Sequence, residues 1–242
     1  MATAPDRRLE QLAAAPGAAA LFFDFDGVLA PIVERPADAA LPAATRAELG
    51  RLAGRYALVA VVSGRPGDDL GRRVGVEGVV CVGSHGLELD PEATRWRRTL
   101  AAFAAAAPWP AAELERKELA LAFHFRSRPD EHAARRELET IAAAARARGL
   151  VTRYGRKVLE VLPPAGSHKG TAVRRLLAEQ RLQRALVAGD DTTDLDAFAA
   201  LEGLELALRV AVASPEAPRA LVEAADLVVG SPDELLALLR RL

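Results

Sequence analysis

The chain has 242 residues, of which 50% are hydrophobic and 27% charged. That is enough for one large core and a second, smaller unit. With 32 basic against 33 acidic residues, its formal net charge is -1, and no basic excess points to nucleic acid or an anionic membrane surface. The single cysteine, Cys81, excludes an internal disulfide. No apolar run is long enough to cross a bilayer. Arg7 and Arg8 before an Ala-rich stretch imitate a signal peptide, but Glu10, Gln11 and Pro16 interrupt it, so a cytoplasmic protein is expected.

In chain order, residues 6–15 read as a short amphipathic helix. Leu21, Phe22 and Phe23 read as the end of a buried strand that runs into Asp24-Phe25-Asp26-Gly27-Val28-Leu29. Side chains alternate along a strand, so Asp24 and Asp26 are expected on one side of it, with Gly27 allowing a sharp turn. A loop containing Pro31, Pro36 and Pro42 leads to a helix over 43–54, with Leu49 and Leu52 as apolar positions and Gly54 as its stop. A second buried strand, 56–62, ends at Ser63-Gly64-Arg65-Pro66, before another helix. A third, 78–82, ends at Gly83-Ser84-His85-Gly86. Strands alternating with helices imply a parallel sheet with crossover connections.

The pattern changes at Leu87. Residues 87–96 read as a hairpin with Asp90-Pro91 as its turn. A helix over 97–107 is stopped by Pro108-Trp109-Pro110. A half-exposed strand covers 119–125, a long amphipathic helix 129–148, and two strands 151–154 and 157–162. Residues 95–164 are thus expected to form a smaller α+β cap domain inserted between 1–94 and 165–242, with Pro163-Pro164-Ala165-Gly166 as a hinge. The core resumes with a helix over 168–181 and a strand over 185–188 that ends at Gly189-Asp190-Asp191. A helix over 193–201, a strand over 206–212 and a last helix from Pro232 follow. The expected fold class is α/β: a doubly wound parallel sheet with an inserted α+β cap.

Four polar clusters each follow an apolar strand or open a helix of the core: Asp24 with Asp26, Ser63 with Gly64 and Arg65, Lys169, and Asp190 with Asp191 and Asp194. In a parallel sheet the carboxyl ends of the strands lie along one edge. Close carboxylates invite a hard cation such as Mg²⁺. A hydroxyl, backbone amides and an ammonium can hold phosphate oxygens, so the set suits phosphoryl transfer. Taken singly, each cluster has a structural explanation: Ser63-Gly64 as a turn, Lys169 as a solvated side chain, Asp190 to Asp194 as helix capping. Yet three carboxylates in five residues exceed what a cap needs, and Lys169 at the start of a helix opposes the macrodipole. The chain is also poor in lysine, with only Lys117, Lys157 and Lys169, and arginine cannot replace a lysine at every site.

Asp24-Phe25-Asp26-Gly27-Val28-Leu29, Ser63, Lys169 and Gly189-Asp190-Asp191-Thr192-Thr193-Asp194 resemble, in order, the four motifs of the haloacid dehalogenase superfamily. Together with Ser63-Gly64-Arg65, Gly83-Ser84-His85-Gly86 and Gly155-Arg156-Lys157-Val158-Leu159-Glu160-Val161, the chain looks like a member of the trehalose-6-phosphate phosphatase family over nearly its whole length. Leu195 stands where that family usually has an acidic residue, and Leu162 where an arginine often precedes the proline. The resemblance implies Asp24 as nucleophile and Asp26 as acid and base. It implies Mg²⁺ on Asp24, the Asp26 carbonyl and Asp190, with Asp191 and Asp194 as supporting acidic residues and Ser63 and Lys169 on the phosphoryl group. Gly64, Arg65 and His85 are substrate-binding candidates; His85 serves equally as a structural turn residue. Glu115, Lys117, Lys157 and Glu160 would meet sugar hydroxyls from a cap that closes over the sugar, or else lie on solvated strand faces. On a regular strand, 157 and 160 would face opposite sides.

The expectation is therefore a Mg²⁺-dependent phosphatase acting on trehalose 6-phosphate as a monomer, with no nucleic-acid or membrane partner. Sucrose phosphate and mannosyl-phosphoglycerate are alternative substrates. A signalling receiver shares the aspartate, hydroxyl and lysine but lacks an aspartate two residues after the nucleophile. A catalytically inactive sugar-phosphate sensor is the remaining alternative.

Overall fold

The computed structural model describes residues 3–155, 157–214 and 217–242. Arg156, in one of the motifs above, lies outside the described residues. The chain divides into two compact units, one formed by residues up to 86 and from 168 onward, the other by Leu87–Ser167.

The larger unit begins with α1 (Ala4–Ala14), started by a reciprocal cap between Thr3 and Asp6. Next come β1 (Ala20–Phe23), α2 (Ala43–Ala53), β2 (Leu58–Val62), α3 (Gly67–Val74) and β3 (Val79–Val82). The smaller unit contains α4 (Pro91–Thr94), α5 (Arg97–Ala106), β4 (Leu114–Arg116), β5 (Leu121–His124), α6 (Glu131–Arg146), β6 (Val151–Gly155) and β7 (Val158–Leu162). The larger unit then continues through α7 (Lys169–Gln180), β8 (Arg184–Gly189), α8 (Thr192–Ala199), β9 (Leu206–Val212), α9 (Arg219–Ala224), β10 (Leu227–Val229) and α10 (Pro232–Leu239).

Six strands form a parallel sheet in the order β10-β9-β8-β1-β2-β3. From β1 the chain winds one way through β2 and β3; from β8 it winds the other way through β9 and β10. The β1/β8 boundary is the topological switch point, where the loops diverge and leave a crevice beyond the carboxyl ends. Every residue of β1 is buried, as expected of a central strand covered on both faces. Leu21 and Phe23 join Val59, Val61, Leu186 and Leu208 in a core completed by Leu9 and Leu12 of α1, Leu49 and Leu52 of α2, and Leu235 and Leu239 of α10. Cys81 is a free thiol on β3. Among the described residues, no helix is long and apolar enough to cross a membrane.

The smaller unit is an antiparallel sheet in the order β4-β5-β7-β6. Leu114, Leu121, Phe123, Leu159 and Val161 pack against Leu100 and Phe103 of α5 and Leu138 and Ile141 of α6. The division falls at 86/87 and 167/168, outside the 95–164 bounds read from sequence. The hairpin expected over 87–96 is absent. Residues Ser84–Leu89 form 3-10 turns with a kink at His85 and Gly86, and α4 follows. Asp90 caps α4 by accepting the Glu92 N–H at 2.9 Å, and Pro91 fills its first position. Asp-Pro opens a helix as readily as a turn, because proline has no N–H to lose there.

Candidate active site

β1 ends at Phe23, so strand alternation does not govern the two aspartates that follow. The backbone of Asp24 still donates to Ala188 on β8, at 3.1 Å, which fixes its side chain at the switch point. The chain then turns tightly: Leu29 and Ala30 both donate to the Phe25 carbonyl, and Gly27 donates to Ala30. Gly27 adopts φ +78°, and a Cβ there would lie 2.1 Å from Asp190 Oδ2. Only glycine lets this loop approach the second acidic cluster. Asp24 and Asp26 are therefore held by a tight loop just past the end of β1 rather than by alternation along the strand. Asp24 is 8% exposed, whereas the Asp26 side chain is 40% exposed and bonded elsewhere.

Lys169, the first residue of α7, is only 2% exposed. Its Nζ lies 2.8 Å from both Asp24 Oδ2 and Asp194 Oδ1. The other Asp24 oxygen accepts the Phe25 N–H at 2.7 Å. Asp194 is the third residue of α8, and its Oδ2 accepts the backbone N–H groups of Asp190 and Asp191 at 3.0 and 3.1 Å. Asp191 caps the helix, donating its own N–H and accepting that of Thr192 at 2.7 Å. Asp194 thus serves as both a cap partner and an anchor for the ammonium.

Asp190 stands apart. Its carboxylate receives no hydrogen bond or ion pair from the described residues, yet it is largely withdrawn from water. Oxygens of Asp24, Asp190 and Asp194 all lie within 4.8 Å of one another. Burial, then the charges of Asp24 and Asp194, raise the Asp190 carboxyl to about 8. Burial likewise raises Asp24, against the opposing pull of Lys169. Burial alone would lower the Lys169 ammonium, but Asp194 and Asp24 outweigh it and hold the group above its ordinary value. Three carboxylates sharing one ammonium leave an excess of negative charge, and the carboxylate without a partner is the donor a hard divalent cation would take. The oxygen-only donor set fits Mg²⁺.

Ser63 follows β2 and is 2% exposed. Its N–H donates to Val82, its carbonyl accepts from His85, and its Oγ accepts the Arg65 N–H at 3.4 Å. A Cβ on Gly64 would lie 2.5 Å from His85 Nε2, so the imidazole packs directly on that glycine. His85 is in the left-handed region, at φ +54°. The Arg65 guanidinium, read from sequence as a substrate ligand, holds both Asp26 oxygens at 2.7 Å. It also reaches Asp69 at 3.3 Å and the Pro36 carbonyl at 2.9 Å, and stacks over the Phe25 ring. Arg65 and Asp69 stand four residues apart across the start of α3, but no spacing rule in the sequence links either of them to position 26.

In the smaller unit, Glu115 lies on β4, with Oε2 3.1 Å from His124 Nε2 and Oε1 3.8 Å from Lys117 Nζ. Lys117 lies past the end of β4 and lines a cavity of about 310 Å³ with Arg97, Ala101, Arg116, Glu118 and others, all in the smaller unit. Lys157 is not on a strand, as the sequence suggested. It occupies the turn before β7 at φ +59°, and its Nζ pairs with Glu131 at the start of α6. Glu160, on β7, pairs with Arg153 of β6. The structure therefore brings Asp24, Lys169, Asp190 and Asp194 together and joins Asp26 to Arg65, while Lys157 and Glu160 hold different partners.

A doubly wound parallel sheet with an inserted α+β unit is a haloacid dehalogenase-like fold. The fold is shared with a haloacid dehalogenase-like hydrolase from Bacteroides thetaiotaomicron, at TM-score 0.62 and 14% identity over 93% of this chain and 99% of that one. Residues 22–223 match the family described as trehalose-phosphatase, and the chain belongs to that family. It is 39% identical over 206 residues to the trehalose-phosphate phosphatase of Mycobacterium ulcerans, covering 75% of this chain and 51% of the relative. The chain thus spans about half the length of the curated relatives it matches. The crystal structure of a trehalose-6-phosphate phosphatase related protein superposes at TM-score 0.71 with 25% identity, over 91% of this chain and 95% of that one.

Proposed function

We propose that this chain hydrolyses trehalose 6-phosphate to trehalose and inorganic phosphate. The observation that carries the reading is the junction of β1 and β8, where Lys169 bridges Asp24 and Asp194 beside the unpartnered Asp190.

Asp24 attacks phosphorus through one carboxylate oxygen; that O–P bond forms as the bond from phosphorus to the sugar oxygen breaks. Asp26 gives the departing sugar oxygen its proton. It then takes a proton from the water that attacks the aspartyl-phosphate, releasing phosphate and restoring Asp24. A carboxylate has about four lone-pair sites, so Asp26 can act while Arg65 orients it. Lys169 offsets negative charge on the transferring group, and Ser63 Oγ can donate to one of its oxygens. Asp24, the Asp26 carbonyl and Asp190 would hold Mg²⁺, whose bound charge would polarise the phosphoryl group and favour the ionised nucleophile. Asp191 and Asp194 keep the start of α8 and Lys169 in place.

Phosphoryl chemistry belongs to the larger unit in this reading, and carbohydrate recognition to the smaller one, through Glu115, Lys117, Lys157 and Glu160. Gly64, Arg65 and His85 support the phosphate end. The same reading makes the chain a cytoplasmic monomer acting on a small phosphosugar. The test is phosphate release with Mg²⁺ from trehalose 6-phosphate, sucrose phosphate and mannosyl-phosphoglycerate. The expected result is the highest kcat/KM for trehalose 6-phosphate. Preference for another phosphosugar would overturn the substrate, and inactivity toward all of them the proposed reaction.

A further inference from the structure

Register places four residues in one row across the smaller sheet. Glu115 on β4 is opposite Ala122 on β5, Ala122 is opposite Glu160 on β7, and Glu160 is opposite Arg153 on β6. Residues opposite one another in register share a sheet face. The alternate residues Leu121, Phe123, Leu159 and Val161 face the helices, so this row lies on the other face. Glu115 and Glu160 are thus two carboxylates separated by one alanine, and each has a basic partner: His124 for Glu115, Arg153 for Glu160.

The Arg153–Glu160 contact is one-sided. Arg153 donates from Nε at 3.0 Å and from Nη2 at 2.6 Å, and both bonds go to Oε2. An arginine fork commonly engages both oxygens of a carboxylate. Here it engages one, and Oε1 takes no hydrogen bond from the described residues. A carboxylate held this way is fixed in orientation, with one oxygen left to accept from a hydroxyl donor.

We infer that Arg153 is a positioning residue for sugar recognition: it clamps Glu160 through Oε2 so that Oε1 accepts a hydroxyl of the substrate. The inference rests on the proposed reaction and on Glu160 meeting the sugar. It adds a residue that lies outside every motif quoted from the sequence.

The test compares Arg153→Met, Arg153→Lys, Glu160→Gln and the Arg153→Met/Glu160→Gln double variant. Trehalose 6-phosphate is one substrate, and a small aryl phosphate lacking sugar hydroxyls is the other. Arg153→Met should raise KM for the sugar phosphate roughly 2- to 10-fold, the size of one hydrogen bond to substrate, with kcat/KM for the aryl phosphate unchanged. Arg153→Lys should recover part of the loss. Once Glu160 is glutamine, Arg153→Met should have little further effect, because its role passes through that carboxylate. Equal losses on both substrates would make Arg153 merely structural. Unchanged KM, or additive losses in the double variant, would also overturn the inference. If the unmodified protein hydrolyses the aryl phosphate but no sugar phosphate, the proposed function fails and this inference falls with it. Normal sugar phosphate turnover without the Arg153 effect would sink the inference alone.

Discussion

Lys169 ties the acidic site together, because one buried ammonium compensates Asp24 and Asp194 at 2.8 Å each. Removing one member of a buried ionic group leaves the others uncompensated, at a typical cost of about 3–5 kcal/mol. Lys169→Met should therefore lower stability by about that amount as well as abolish turnover, measured by denaturant unfolding beside phosphate release. A loss of activity at unchanged stability would place Lys169 outside the structural ion group. Asp24→Asn probes the chemistry instead. The amide is nearly isosteric and can still accept from the Phe25 N–H, but it is a poor nucleophile. Folded Asp24→Asn protein should show only background hydrolysis, and substantial turnover would exclude the aspartyl-phosphate route. All four members of this group, Asp24, Asp190, Asp194 and Lys169, stand in the polar clusters legible in the sequence, because each cluster follows an apolar strand or opens a helix. The bonds of Asp26 and Glu160 to arginines were not legible, because they depend on loop geometry and strand register.

At the scale of elements, the parallel sheet could be read from its apolar runs, since central strands covered on both faces leave little else to encode. The smaller unit was harder. β4 has three residues, of which only Leu114 is buried, so it carries no alternation to recognise. Residues 87–96 misled through Asp90-Pro91, which starts a helix here. Lys157 turned out to be the left-handed residue of a turn, a conformation uncommon for a side chain of its size. The loop after β1 yields an element-scale prediction. Gly27→Ala would combine a strained φ of +78° with a Cβ 2.1 Å from Asp190 Oδ2. The loop or Asp190 must move, so divalent-metal affinity should fall sharply, with a stability loss of about 1–3 kcal/mol. Calorimetric titration with Mg²⁺ measures the first effect and denaturant unfolding the second. Wild-type affinity in the variant would mean that the approach of this loop to Asp190 does not shape the cation site.

For the whole molecule, the acidic cluster links stability, pH and metal. The Asp190 carboxyl is raised to about 8 by burial and by Asp24 and Asp194, and Asp24 is raised in the same direction. In the unfolded chain both return to about 3.9. Between about pH 4 and 8 the folded protein therefore binds more protons than the unfolded one, so the contribution of these groups to stability falls as pH rises and levels off above about 8. A divalent cation reverses this cost, because it binds the ionised carboxylates of the folded state and stabilises it by mass action. In chelator, Tm should decline from pH 5.5 to pH 8.5. Added Mg²⁺ should raise Tm little at the acid end and most at the alkaline end. Asp190→Asn removes the most strongly shifted carboxyl, so it should flatten the decline in chelator and shrink the Mg²⁺ effect at pH 8.5. Thermal unfolding of both proteins across that range, with and without Mg²⁺, checks each part. If the variant keeps the full slope and the full Mg²⁺ response, the excess charge does not reside at Asp190 and the cation is held elsewhere.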